Sequence, residues 1–196
     1  MMHPDAELRF ISFEVGYGLF ARKFIPKGTI TYIGDPLEIR YRPDDPALDR
    51  PKFRAIVEKY ATLEPEGYYE MSWDLAKYIN HCCNYNSLGT GWGFEVVVRD
   101  IPADEEITDD YGLFNVDYPM TLICRFENCR GRVGRGDYNN MQDQWNRDIR
   151  EALTATLGVA QPLMTDMDDQ TRDALMRYLK TGQGYIPISN RQHVAY

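Results

Sequence analysis

The chain has 196 residues, a net charge of −8, 43% hydrophobic residues and 27% charged residues. This composition is typical of a globular protein with one well-buried core. No apolar run approaches the roughly 18 residues that a membrane span needs. The acidic balance argues against nucleic acid as the main partner. Two interpretations of this acidic charge remain open. It would either attract Lys/Arg-rich peptides or only maintain solubility. The first residues lack the basic and apolar regions of a secretory signal, so we expect a cytoplasmic protein.

Short β-prone segments dominate the chain up to about Val133. From residue type and alternation we predict strands at residues 9–14, 19–21, 30–33, 37–41, 68–73 and 94–98. One helix interrupts them, because Phe53, Ile56, Val57 and Tyr60 recur at the spacing of an amphipathic helix.

The tail has the apolar spacing of helices. Trp145, Ile149, Leu153 and Leu157 form a stripe that Gly158 closes at the usual stop position. Thr165 and Asp168 have capping-box spacing and predict the start of a second helix. This second helix carries Leu175, Met176 and Leu179 and ends near Gly182.

The segment 76–86 is unusually polar. Tyr78 and Ile79 lead directly into groups that donate, accept or ligate: Asn80, His81, Cys82, Cys83, Asn84 and Asn86. Burying so many polar groups without partners is costly. Composition alone leaves two readings open, a ligand site and a polar turn of the kind that Asn favours.

The four cysteines fall in two close pairs, Cys82 with Cys83 and Cys124 with Cys129. In a reducing compartment such pairs indicate metal ligation or plain burial more than disulfides.

The order of four motifs resembles the SET-domain protein lysine methyltransferases. The motifs are Gly16-Tyr17-Gly18-Leu19-Phe20-Ala21 with Ile25-Pro26-Lys27-Gly28, Tyr78-Ile79-Asn80-His81-x-Cys83-x-x-Asn86, Asp104-Glu105-Glu106-Ile107-Thr108-x-Asp110-Tyr111-Gly112, and Cys124-x4-Cys129-Arg130-Gly131. Each motif is weak alone, but together they cover about residues 8–133 in the family's order. The resemblance does not cover the chain after about Gly134.

The resemblance implies a mainly β fold, the SET-domain β-clip of small sheets around a pseudoknot. In it the Asn-His segment crosses the Asp-Tyr strand. We therefore expect a SET domain with a post-SET-like segment over residues 8–133, including a short insert helix. We expect residues 134–196 to form a helical C-terminal extension that packs on this domain.

The resemblance also implies S-adenosylmethionine as the methyl donor and lysine in a protein or peptide as the acceptor. By matching position, Tyr111 is the implied active-site tyrosine, which would position the amine. The implied cofactor-binding residues are Gly16, Tyr17, Gly18, Lys77, Asn80 and His81. Methyl transfer from a sulfonium to an amine is a direct displacement, so it requires a neutral amine aligned with the S–CH3 bond.

Three departures from the family pattern bear on the site. Lys77 stands where the family commonly has Arg, which removes a bidentate contact to the cofactor carboxylate. Asp109 stands in the substrate channel where the family usually has Phe or Tyr. There it would either hydrogen-bond the amine or point away. Leu122 replaces the first cysteine of the zinc-binding triplet.

A structural zinc ion needs four ligands, and Cys83, Cys124 and Cys129 match the family's set. Either Cys82 or an oxygen or nitrogen ligand completes the site, or zinc is absent. Without zinc, Trp145 or Tyr138 would supply an aromatic wall for the lysine channel, although ordinary core packing is the alternative for Trp145.

Three functions remain open on the sequence. The first is methylation of lysine in proteins. The second is a catalytically silent SET-like module that binds a peptide or the cofactor, an alternative that rests on Asp109 and Lys77. The third is methylation of a small-molecule amine, because the short segments between motifs leave little surface for docking a peptide.

Overall fold

The computed structural model describes residues 1–116 and 119–192, and these form small sheets with three α-helices. The strands in chain order are β1 (Ala6–Ser12), β2 (Gly16–Ala21), β3 (Ile30–Tyr32), β4 (Ile39–Tyr41), β5 (Ala61–Leu63), β6 (Tyr69–Met71), β7 (Asn80–His81), β8 (Ser87–Gly89), β9 (Glu95–Val97), β10 (Glu106–Asp109), β11 (Met120–Thr121) and β12 (Arg132–Val133). The α-helices are α1 (Pro51–Tyr60), α2 (Arg135–Leu153) and α3 (Asp169–Thr181).

The strands form four small sheets, with the orders β1-β2-β10-β7, β3-β9-β8, β4-β6-β5 and β11-β12. A mainly β fold with helices in the tail is therefore confirmed. No helix in the described part of the chain is long and apolar enough to cross a membrane.

The segment of β10 crosses that of β7 as the resemblance implies. The two strands are parallel, with Thr108 opposite Asn80 and Asp109 opposite His81. Their neighbour β2 is antiparallel to β10 and brings the Gly16–Gly18 stretch to the same sheet. Three motifs far apart in the sequence thus meet in one sheet.

A buried asparagine, Asn86, stabilises this crossing through hydrogen bonds. The Asn86 side chain is fully buried. Its Oδ1 accepts from the Thr108 amide at 2.9 Å, and its Nδ2 donates to the Glu106 carbonyl at 2.8 Å. The side chain therefore acts like a strand partner for β10 where the chain leaves β7.

The predicted insert helix is confirmed as α1, but its apolar stripe is only partly buried. Val57 is buried, whereas Phe53 is 44% exposed and Ile56 48% exposed. Helical spacing predicted the helix correctly. It did not predict how much of the apolar stripe is buried, because periodicity does not report how wide a surface packs against the helix.

The tail helices contribute to the main core of the molecule. Trp145, Ile149 and Leu153 of α2 belong to one buried cluster with Ile30 of β3 and Val96 of β9. Further members of this cluster are Ile33, Leu88, Phe94, Val98, Tyr138, Ala152, Leu163, Met167, Leu175 and Ile188.

Two predicted details of the tail helices were wrong. The stripe does not continue to Leu157, which is 59% exposed, because α2 ends at Leu153 and a 3-10 turn follows over Thr156–Gly158. The N-cap of α3 is Asp168, whose side chain accepts from the Thr171 amide at 2.9 Å, so Thr165 does not cap this helix. The end at Gly182 is confirmed by its left-handed φ of 72°.

Candidate active site

Tyr111 lies two residues after the end of β10, where a 3-10 turn over Tyr111–Leu113 begins. Its hydroxyl donates to the Ile79 carbonyl at 2.8 Å. Burial raises the pKa of Tyr111, and the negative charges of Asp109 and Glu106 raise it further. The hydroxyl is therefore protonated at neutral pH, which suits a positioning role better than that of a base.

His81 connects Tyr111 to the cysteines. Its Nδ1 accepts from the Tyr111 amide at 3.1 Å, and its Nε2 lies 3.2 Å from the Cys83 Sγ. Burial lowers the pKa of His81 to about 4, against a smaller raising effect of Asp110. A neutral imidazole has one donor and one acceptor nitrogen, so Nε2 carries the proton and faces the sulfur.

The glycine motif and Asn80 lie against each other. Asn80 Nδ2 donates to the Tyr17 carbonyl at 3.0 Å and to Glu106 Oε1 at 2.8 Å. A Cβ on Gly18 would lie 2.7 Å from Asn80 Nδ2 and would collide with the Glu106 carboxylate. A side chain at Gly18 would therefore displace the ends of the Glu106 and Asn80 side chains, and Gly16 has a φ of 87° that favours glycine. The residues predicted to hold the cofactor therefore form a close-packed wall of backbone and amide groups.

The predicted cofactor contact Lys77 is held on its own turn. Its Nζ donates to the carbonyls of Ser72, Trp73 and Asp74 at 3.3, 3.2 and 2.8 Å. These carbonyls satisfy the three donors of the ammonium group in this arrangement.

Asp110 holds three segments of the chain together, a role that the sequence analysis missed. Its carboxylate is buried and accepts from the Gly112 amide at 3.0 Å, from the Trp145 indole at 3.1 Å and from the Arg130 guanidinium. Nothing in the sequence paired this acid with a tail tryptophan. Asp110 fixes the turn that carries Tyr111.

Asp109, the predicted channel residue, is fully buried. Its Oδ1 accepts from the Asp110 amide at 2.6 Å, whereas Oδ2 has no hydrogen-bond partner among the described residues. Burial raises the pKa of Asp109, and the neighbouring Glu95 adds to this.

A cavity of about 380 Å³ opens beside Tyr111. Six aromatic residues line it: Tyr32, Tyr60, Tyr69, Phe94, Tyr111 and Phe114. Its charged lining comprises Glu58, Lys59, Glu64, Glu70, Lys77, Glu95 and Arg191. The cavity is therefore an aromatic pocket with acidic and basic groups on its wall.

Trp145 and Tyr138, the predicted alternatives for an aromatic wall, pack instead in the main core. Their rings lie 6.1 Å apart, and neither belongs to the cavity lining. Ordinary core packing, the alternative left open for Trp145, is what the structure has.

The four cysteines form one cluster next to His81. The Sγ atoms of Cys83 and Cys129 are 3.9 Å apart, as are those of Cys82 and Cys124. Zn–S bonds of about 2.3 Å in a tetrahedron place sulfurs roughly 3.8 Å apart. Each of the two pairs has this spacing. Among the described residues, the group of ligand atoms that all lie within 4.8 Å of one another consists of His81, Cys83 and Cys124.

Backbone amides point at every sulfur of this cluster. They belong to Cys83, Asn84, Arg130 and Gly131 and lie 3.2–3.4 Å from the sulfurs of Cys124, Cys82, Cys83 and Cys129, respectively. Such donors stabilise thiolates, but burial outweighs them at Cys82 and Cys83 and raises the pKa of both thiols, that of Cys82 to about 11. Burial acts to raise the pKa of the Cys124 thiol, but the backbone amides of Cys83 and Phe126 outweigh it and lower this pKa.

The comparisons with known proteins agree with this geometry. The family model that describes the SET domain matches residues 16–112. Among curated proteins, the chain is 26% identical over 136 residues to the variant-silencing SET domain-containing protein of Plasmodium falciparum. The alignment covers 59% of this chain but only 5% of that much longer relative.

Solved structures of similar fold include the methyltransferase domain of human histone-lysine N-methyltransferase SETMAR. It is 15% identical with a TM-score of 0.44, and the match covers 68% of this chain and 58% of that one. KRYPTONITE in complex with mCHG DNA and SAH is 21% identical with a TM-score of 0.42, over 64% of this chain and 29% of that one. The family match spans β2, the crossing of β7 with β10, and Tyr111. Residues 16–112 of the chain therefore match the SET domain.

Proposed function

We propose that this chain transfers methyl groups from S-adenosylmethionine to the side-chain amine of lysine in a protein substrate. The observation that carries the proposal is the crossing of β7 with β10, which places Asn80 and His81 beside Tyr111. The cofactor, when bound, supplies an electrophilic methyl group on a sulfonium. The chain's residues must hold it, orient the amine and exclude water.

The cofactor-facing wall fits such a ligand. Gly16 is partly exposed and Gly18 is buried, and neither has a side chain that would stand between the backbone and a ligand. The Asn80 amide is anchored by Tyr17 and Glu106. Lys77 lies three residues before Asn80. Its ammonium group would contact the cofactor carboxylate as a point charge, in place of one of its present backbone carbonyl partners.

Tyr111 would position the substrate amine. Its proton is engaged by the Ile79 carbonyl, so the lone pairs of its oxygen are free to accept from the amine. Alignment of this kind supplies much of the barrier reduction in a displacement reaction. Lysine loses its proton more readily in a desolvated aromatic cavity, because burial disfavours the charged form.

The test combines binding and transfer. We expect wild-type protein to bind S-adenosylhomocysteine in calorimetry and to move labelled methyl groups from the cofactor to proteins of a lysate. Tyr111→Phe should lower the transfer rate about 100-fold while cofactor affinity changes less than about twofold. Tyr41→Phe, on β4 and away from the cavity, is the matched control.

Full transfer by Tyr111→Phe would refute the role of Tyr111. Label in small molecules instead of proteins would favour a small-molecule amine as substrate. Cofactor binding without any transfer would leave only the silent module.

We also propose that the cysteine cluster holds one zinc ion, with Cys82, Cys83, Cys124 and Cys129 as ligands. His81 is the competing fourth donor, because its ring nitrogen lies within 4.8 Å of Cys83 and Cys124 sulfurs. However, its Nδ1 accepts a hydrogen bond, so its Nε2 bears the proton and cannot ligate in this arrangement. Cys82 is therefore the ligand that replaces the cysteine missing at Leu122.

Elemental analysis should find about one zinc per chain in wild-type protein. Cys82→Ser should reduce it severalfold, and Cys82→Ser combined with Leu122→Cys should restore it. Undiminished zinc in Cys82→Ser would assign the fourth position to His81.

A further inference from the structure

Glu95 is a carboxylate in an unusual place. It lies on β9 inside a strand whose other residues, Val96 and Val97, are fully buried. It is 8% exposed, and its side chain forms part of the wall of the cavity beside Tyr111. A charged residue in such a strand needs a partner or a function.

The described part of the chain gives Glu95 little compensation. Its only side-chain hydrogen bond comes from the Ser87 hydroxyl at 3.4 Å, and it forms no ion pair there. Two other glutamates on the cavity wall do have cations, Glu64 with Arg191 and Glu70 with Arg40. Burial raises the pKa of Glu95 to about 7.

A second acid lies close to Glu95. The fully buried Asp109 has one oxygen without a hydrogen-bond partner among the described residues, and its carboxyl interacts electrostatically with Glu95. The two acids form no ion pair within residues 1–116 and 119–192. Glu95 belongs to the lining of a cavity with six aromatic residues, and Asp109 lies outside that lining.

An aromatic wall with a buried carboxylate at one side matches an alkyl chain that ends in an amine. The rings cover the methylene groups. The carboxylate accepts hydrogen bonds from the nitrogen only as long as the nitrogen carries hydrogen.

We propose that Glu95 determines the specificity of the site, by binding the substrate amine through its N–H groups. Unmethylated and monomethylated lysine are then accepted, whereas trimethyllysine, which has no N–H to donate, is excluded. This inference rests on the proposed function, because it takes the cavity to be the entrance for the substrate amine.

The experiment uses three amino-acid amides as probes, titrated by NMR into the full chain saturated with S-adenosylhomocysteine. The probes are N-acetyl-lysine amide, its ε-trimethylated form, and N-acetyl-norleucine amide, which lacks the nitrogen. Wild-type protein should bind the lysine amide at least tenfold more tightly than either of the other two. Glu95→Gln should abolish this preference, and Glu66→Gln, an exposed glutamate outside the cavity, should retain it.

Equal binding of the three probes by wild-type protein, binding of none of them, or an unchanged preference in Glu95→Gln would overturn the inference. Thermal unfolding of each variant shows whether it is folded, and Glu95→Ala repeats the titration if Glu95→Gln is not. The proposed function fails separately, if wild-type protein does not bind S-adenosylhomocysteine.

Discussion

At the scale of single residues, two buried carboxylates beside Tyr111 differ in how they are compensated. Asp110 accepts from a backbone amide, an indole and a guanidinium. Glu95 has one long bond from a hydroxyl. A buried charge without a cation reduces stability, so we expect the ionised Glu95 side chain to lower the free energy of unfolding.

Replacing Glu95 by Gln should stabilise the protein at alkaline pH. Because its pKa is raised from 4.5 to about 7, ionisation opposes folding, and the wild type loses stability as pH rises between these values. The shift corresponds to roughly 3 kcal/mol above pH 7 and under about 1 kcal/mol at pH 4.5. Urea unfolding of Glu95→Gln at pH 8 and pH 4.5 should show a gain of that order only at pH 8.

The exposed Glu66→Gln is the control and should leave the pH profile unchanged. A Glu95→Gln variant less stable than wild type at pH 8 would contradict the prediction and mean that the carboxylate has a partner in solution.

At the scale of elements, the crossing of β7 and β10 depends on the Asn86 amide. Only two residue pairs join these strands in register, so the side chain supplies hydrogen bonds that a longer ladder would supply itself. Because the amide is fully buried, its loss leaves the Thr108 amide and the Glu106 carbonyl unpaired.

We expect Asn86→Ala to lower the free energy of unfolding by roughly 3 kcal/mol, from three lost hydrogen bonds and the unpaired backbone groups. Asn84→Ala, two residues away and exposed, should change it by less than about 0.5 kcal/mol. Denaturant unfolding of both variants checks this. Similar effects in the two would show that Asn86 does not hold the crossing.

The crossing itself was predicted only through the resemblance of its motifs to the SET-domain family, because its polar composition alone left a ligand site and a polar turn open. Residue patterns also predicted β2 and α1. The start of α2 could not be predicted, because its first turns are polar and depend on tertiary contacts. Tyr138 joins the distant core, and the Asp137 carboxylate accepts from the Gly134 amide at 2.7 Å.

The site was predicted in part for the same reason. Tyr111, Asn80 and His81 belong to motifs that can be read in the sequence. The role proposed for Glu95 depends on a cavity formed by strands that are far apart in the sequence. A signal was present, since Glu95 is the one charge within the apolar run 94–98, but alternation alone could not show which cavity it faces.

At the scale of the whole molecule, the tail helices and the small sheets share one core. Trp145 is fully buried between residues of both and also bonds Asp110. The domain boundary predicted at residue 134 therefore stays a prediction. Residues on both sides of it pack in the same core.

Trp145→Ala should destabilise the entire chain by about 4 kcal/mol, because it leaves a large cavity and an unpaired Asp110 oxygen. We expect amide exchange in β9 to accelerate together with exchange in α2. Leu157→Ala, a change at a mostly exposed apolar residue, should have little effect. Faster exchange in α2 alone would mean that the tail unfolds independently.

The three partners of Asp110 have a consequence for biosynthesis. Gly112 emerges from the ribosome soon after the acid, but Arg130 follows 20 residues later and Trp145 only 35 residues later. Until then the carboxylate has only the Gly112 amide of its three partners, which compensates little of the cost of leaving water, so the Tyr111 turn cannot settle in its final form. The candidate site should therefore form late in translation, and a ribosome paused before codon 145 would hold an ordered β1-β2 hairpin but an incomplete site.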